Sequence, residues 1–172
     1  MVVNQEHGTI DSPLHPSQVK VYSWVPEALA LLTSKQFGLS IVTNQPAAAK
    51  GKTTRENLEN VHKRVVELAE QAGGKILSSH ICFHKQEDAC NCRKPRTGML
   101  LEALDQNRCY DRNNTWMVGD GVHDIQAGQT LSLKTAFIGS RKWDAQRVFD
   151  NEALLPTLWI ENLLEFARTL CL

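Results

Sequence analysis

ICFHKQEDACNCRKPRTGM, residues 81–99, places Cys82, His84, Cys90 and Cys92 within eleven positions and follows them at once with Arg93, Lys94 and Pro95. Cys-x-His and Cys-x-Cys, five residues apart, supply three thiolates and one imidazole. That set closes a zinc tetrahedron with no open position, so the metal it predicts is structural. Its expected work is to fix a loop, residues 82–92, that has little core of its own, with metal binding and folding coupled. The alternative is four unrelated cysteines and histidines, buried or redox-active.

The pattern on either side of the loop predicts the fold class. Residues 75–83 read as a strand running straight into the loop, and Thr97-Gly98 opens a helix with Met99, Leu100, Leu101 and Leu104 inward. Upstream, residues 39–43 (LSIVT) have the continuous apolar profile of a buried parallel strand. The loop NQPAAAKGK follows, and Thr53 with Glu56 forms a capping-box pattern ahead of Leu58, Val61, Val65, Leu68 and Ala72 at helical spacing. Earlier still, Pro26 suits the first turn of a helix whose apolar face is Val25, Ala28, Leu29, Leu31 and Leu32. Downstream come a short strand at 115–118 ending in Gly119-Asp120-Gly121, a helix at about 122–131, a strand at 135–138, and a helix at 161–170. Val2 and Val3 start a short strand at the beginning of the chain.

Strands alternating with helices predict an α/β fold, a doubly wound and mostly parallel Rossmann-like sheet with helices on both faces. Ligands of such sheets bind beyond the carboxyl ends of the strands. The polar residues that end the strands, Gln5, Thr43-Asn44 and Asp120, together with Lys94, are therefore expected to share one site.

The chain of 172 residues suits one domain, residues 1–172, able to bury a common core. Lysine and arginine number 19 and so do aspartate and glutamate. No global field then draws the chain to nucleic acid or an anionic membrane, and any anion site must be local. Apolar runs are far short of a membrane span, and the first residues lack a basic stretch followed by a hydrophobic one, so a cytoplasmic protein is expected. Five cysteines, three in one loop, fit metal ligation in a reducing compartment better than a disulfide framework.

Arg93 and Lys94 can grip an anion, Arg in bidentate fashion and Lys as a compact charge; the bland alternative is a solvated basic patch. Asp120, between two glycines after a buried strand, is placed to meet a hard cation such as magnesium. Asp124 lies one helical turn on and either joins it or caps the helix N-terminus. Thr43 ends its strand where a hydroxyl and the following amides, including that of Asn44, are suited to cradling phosphate.

Together these pieces resemble the haloacid dehalogenase superfamily of phosphatases, in the branch containing the D-glycero-D-manno-heptose 1,7-bisphosphate and histidinol-phosphate phosphatases. IVTNQ (residues 41–45) resembles the family's second motif, CRKPRTGM (92–99) its third and MVGDGVHD (117–124) its fourth; the cysteine loop resembles the branch's zinc loop. The resemblance implies a phosphorylated small molecule of the sugar-phosphate type as ligand, with zinc and magnesium as cofactors. The family's first motif, Asp-x-Asp-Gly-Thr, supplies the nucleophile and the acid/base. This sequence has Gln5-Glu6-His7-Gly8-Thr9 there. A carboxamide at Gln5 is a poor nucleophile and removes one negative magnesium ligand, whereas the His7 imidazole can still pass protons near neutral pH. Gly121 also stands where the heptose phosphatases tend to carry a lysine. Three functions follow: a phosphate-ligand-binding pseudoenzyme with impaired or lost phosphatase activity, a hydrolase using His7 or a metal-bound water, or a zinc-stabilised scaffold. For the last, Trp116, Trp143 and Trp159 could serve an interface, although core packing is the commoner use of Trp.

Overall fold

The computed structural model describes residues 2–3, 12–106, 110–139 and 154–170; Gln5, His7 and Trp143 lie outside them. Strands β1 (Val2–Val3) and β2 (Lys20–Val21) form a short antiparallel pair. The rest of the strand pairing is parallel: β3 (Leu39–Asn44) with β4 (Ile76–Cys82), and β5 (Trp116–Gly119), β6 (Lys134–Ile138) and β7 (Leu158–Ile160) in that order. Parallel neighbours need a crossover. Helix α2 (Arg55–Gln71) carries the chain from β3 to β4, and α4 (Val122–Thr130) carries it from β5 to β6. Helices α1 (Val25–Ser34), α3 (Gly98–Gln106) and α5 (Leu163–Leu170) complete the described layers.

Alternation along β5 distributes the helices over both faces. Trp116 and Val118 pack on one side with Ala28 and Leu32 of α1, Ala136, Ile160, and Phe166 and Ala167 of α5. Met117, between them, packs on the other side with Leu100 of α3, Ala127 of α4 and Leu133. Gly128 lets α4 come this close: a methyl there would sit 2.7 Å from Met117 Cβ and 2.8 Å from Thr135 Cγ2. Trp116 meets Phe166 edge-on at 5.4 Å, and Trp159 meets Phe137 at 5.1 Å, so both tryptophans serve the core.

Three details differ from the sequence reading. Helix α2 is capped by Thr54, whose hydroxyl accepts from Asn57 N at 3.0 Å, and not by Thr53 with Glu56. Thr53 is one residue too early for that geometry, and its hydroxyl donates to Leu14 O instead. The last helix starts at Leu163 because Asn162 Oδ1 accepts from the N–H groups of Leu164 and Glu165. Strand β7, like the two-residue β2, was not anticipated. Its entry is fixed by a reciprocal pair, Thr135 N to Thr157 Oγ1 at 3.1 Å and Thr157 N to Thr135 Oγ1 at 3.2 Å. Among the described residues no helix is long and apolar enough to cross a membrane.

Candidate metal centre and anion pocket

Strand β4 ends on Cys82, which is buried and begins the ligand loop. The chain then folds back so that Cys82 Sγ lies 3.6 Å from His84 Nδ1, 3.8 Å from Cys90 Sγ and 3.2 Å from Cys92 Sγ. Cys92 Sγ is 3.4 Å from Cys90 Sγ and 3.3 Å from His84 Nδ1. All four donor atoms lie within 4.8 Å of one another, a cluster that could hold a metal ion. Two arginines brace the loop from outside: Arg93 Nη1 donates to His84 O at 3.0 Å and Arg96 Nη1 to Cys90 O at 2.8 Å. Gly98 N donates to Asn91 O, and a side chain at Gly98 would collide with that carbonyl. Arg96 and Gly98 were not recognised as loop supports in the sequence, since neither their spacing nor their type marks the carbonyls they meet.

Crowding three thiols together resists the ionisation of two of them, Cys82 and Cys92. Burial pushes the Cys82 thiol up. Burial and the neighbouring Cys82 and Cys90 thiols push Cys92 up to about 12. Cys90 moves down: burial opposes its charge, but the Arg93 backbone N–H and the neighbouring thiols donate to its sulfur. A divalent cation at the centre would reverse the repulsion and deprotonate its ligands.

The parallel register puts the other expected residues beside this loop. Thr43 is level with Ile81 and Asn44 with Cys82. Two residues past the last cysteine, Lys94 turns inward and is only 7% exposed. Its Nζ donates to Val42 O at 2.7 Å and pairs with Asp124 Oδ1 at 2.6 Å. The other oxygen of Asp124 accepts from Gly121 N at 3.0 Å. Both carboxylate oxygens are thus engaged, and Asp124 both caps the N-terminus of α4 and neutralises Lys94. Gly119 makes room for it, because any side chain there would overlap the Asp124 carboxylate.

Asp120 follows β5 and is exposed. Thr43 Oγ1 accepts from Gln45 Nε2 at 3.3 Å, and a hydroxyl that accepts still has its own hydrogen to donate. Asn44 bonds the Lys94 backbone twice, from Nδ2 to Lys94 O at 3.0 Å and to Oδ1 from Lys94 N at 3.1 Å. The structure therefore connects Asn44, Lys94 and Asp124 directly and places Thr43 beside Asn44. It turns Arg93 toward the metal loop.

A model of HAD-hydrolase-like domains matches residues 91–166. The chain is 30% identical over 143 residues to the D-glycero-beta-D-manno-heptose-1,7-bisphosphate 7-phosphatase of Neisseria meningitidis serogroup A, covering 80% of this chain and 76% of that protein. It is 31% identical over 124 residues to the protein of the same name from Pseudomonas aeruginosa, covering 69% of each. Its fold is similar to the crystal structure of D,D-heptose 1,7-bisphosphate phosphatase from B. bronchiseptica complexed with magnesium and phosphate. The TM-score is 0.78 at 24% identity, over 99% of this chain and 93% of that one. The chain belongs to the haloacid dehalogenase superfamily and is related within it to the D-glycero-D-manno-heptose 1,7-bisphosphate phosphatases.

Proposed function

We propose that this chain binds a small phosphorylated metabolite of the sugar-phosphate type at the strand ends and has impaired or lost phosphomonoesterase activity. The observation that carries the reading is Lys94. An ammonium has three hydrogens; one goes to Val42 O and one to Asp124 Oδ1. The third is available to an incoming phosphate oxygen, with the Thr43 hydroxyl and the remaining Arg93 donors as further contacts. Against this retained grip stands the first motif, where Gln5 and His7 replace the two carboxylates of the resemblance. A carboxamide cannot form the covalent aspartyl-phosphate.

Zinc is the metal we assign to the cysteine loop. With Zn–S of about 2.3 Å and Zn–N of about 2.0–2.1 Å, tetrahedral edges are roughly 3.8 Å between sulfurs and 3.5 Å from sulfur to nitrogen. Five of the six donor pairs stand at 3.2–3.8 Å between sulfurs and 3.3–3.6 Å from sulfur to nitrogen, at or somewhat below those edges, and all four donors lie within 4.8 Å of one another, which supports a small tetrahedral ion. For magnesium the described residues offer Asp120, with Asp124 already engaged. A single carboxylate is a poor match for a cation that needs several oxygen ligands, so its affinity is expected to be low.

The test is phosphate release from heptose 1,7-bisphosphate and an aryl phosphate with magnesium, paired with calorimetric binding of the same esters. Binding without turnover is expected, and turnover should appear in a Gln5→Asp, His7→Asp double variant. Wild-type turnover that disappears in a folded Lys94→Ala variant would overturn the proposal in favour of a hydrolase using His7 or a metal-bound water. Absence of any binding would leave the scaffold reading.

A further inference from the structure

Asn44 ends β3, fifty positions before Lys94 in sequence, and spends both halves of its carboxamide on that one residue. Lys94 sits in the turn between the metal loop and α3. Its backbone N–H and C=O, buried with the residue, have no strand among the described residues alongside to pair them, yet such groups need partners. The Asn44 side chain supplies both, as a neighbouring peptide would. Val42, two residues earlier on the same strand, accepts from the Lys94 ammonium at 2.7 Å. Lys94 is thus docked on β3 at two points, its backbone at Asn44 and its charge at Val42.

We propose that Asn44 is a positioning residue that fixes the Lys94 backbone against β3 and so delivers the ammonium to the anion pocket, and that it does not act as a phosphate contact itself. The consequence for binding rests on the phosphate-binding reading above, whereas the clamp itself does not. The side chain suits the task in both length and chemistry. Aspartate would lose the donor to Lys94 O and set a carboxylate against that carbonyl. Alanine would lose both bonds, and glutamine would push the amide a methylene too far. One Nδ2 hydrogen remains, so the test must separate action through Lys94 from direct contact.

Three measurements on wild type and Asn44→Ala do this: amide hydrogen exchange, the rate of Lys94 acetylation by acetic anhydride followed by mass spectrometry, and calorimetric titration with inorganic phosphate. With two hydrogen bonds removed, exchange at the Lys94 amide should accelerate roughly tenfold or more. Lys94 acetylation should rise comparably, because the buried ammonium becomes accessible, and phosphate affinity should fall by a similar factor. The exchange rise should be confined to the turn around Lys94; a rise spread over β3 and β4 would indicate general loosening and overturn the positioning role. Weakened phosphate binding with unchanged exchange and acetylation would make Asn44 a direct contact, also overturning it. If wild type binds no phosphate, the anion reading has failed, and exchange and acetylation still decide whether the clamp exists. Unchanged values in both would refute it.

Discussion

Replacing Lys94 by methionine removes one member of a buried ion pair while keeping most of the side-chain volume. Lys94 and Asp124 have side chains only 9% and 11% exposed and meet at 2.6 Å. At an effective dielectric of 20 their gross attraction is about 6 kcal/mol. Removing each charge from water costs several kcal/mol, so the pair as a whole contributes little net stability. Breaking it is different. Lys94→Met leaves Asp124 buried with Gly121 N as its one remaining hydrogen-bond partner among the described residues and takes the ammonium donor from Val42 O. The expected cost is about 3–5 kcal/mol, which for a chain of this size lowers the melting midpoint by roughly 6–20 °C. Adding Asp124→Asn removes the stranded charge and retains an oxygen for the α4 cap. The double variant should therefore be more stable than Lys94→Met by roughly 2 kcal/mol. Urea unfolding of the metal-loaded protein, followed by tryptophan fluorescence, measures both differences. A Lys94→Met variant within about 1 kcal/mol of wild type, or a double variant no more stable than the single one, would show that the pair is effectively solvated.

Two further expectations concern the metal loop and α2. Elemental analysis should find about one zinc per chain in wild type and none in Cys90→Ser. Chelation should accelerate hydrogen exchange in residues 84–92 while β5 to β7 stay protected; unchanged exchange would refute a structural metal. Burial, with His80 as a lesser cause, holds His62 below its ordinary value of 6.5. The folded state thus prefers neutral His62, so its contribution is intact above pH 6.5 and is lost as pH falls below it, where the unfolded chain takes up the proton first. The urea midpoint of wild type should decline from pH 7.5 to 5.5 more steeply than that of His62→Gln, and identical slopes would contradict the assignment.

The elements legible in the sequence are those whose signals are local. LSIVT carries the apolar run of a buried strand, and Leu58 and Val61 fall on the buried face of α2. The short strand β7 was missed because LWI after Pro156 has too few residues to show a period. What fixes it is a hydroxyl-to-amide exchange between Thr135 and Thr157, twenty-two positions apart. The capping error at Thr53 has a similar origin. Two adjacent threonines satisfy almost the same pattern, and a tertiary contact to Leu14 decides which one faces the helix.

The same distinction runs through the site. Cys82, His84, Cys90 and Cys92 lie close enough in sequence that ligand spacing predicts their convergence, and their donor atoms do converge. The sequence also puts Lys94 at the rim, but it cannot say what Lys94 meets. Its three partners come from β3 and from the start of α4, far apart in sequence and brought together only by the fold. That is why residue type alone does not show what Asn44 bonds and leaves two readings open for Asp124. An amide at a strand end beside a threonine reads as a phosphate contact, and a carboxylate one turn after Asp120 reads equally as magnesium ligand or cap. In the fold each is engaged by Lys94. The proposed anion site is then one lysine held from three sides and not a ring of independent contacts. Disturbing Asn44 or Asp124 should then alter anion binding through the placement of that lysine.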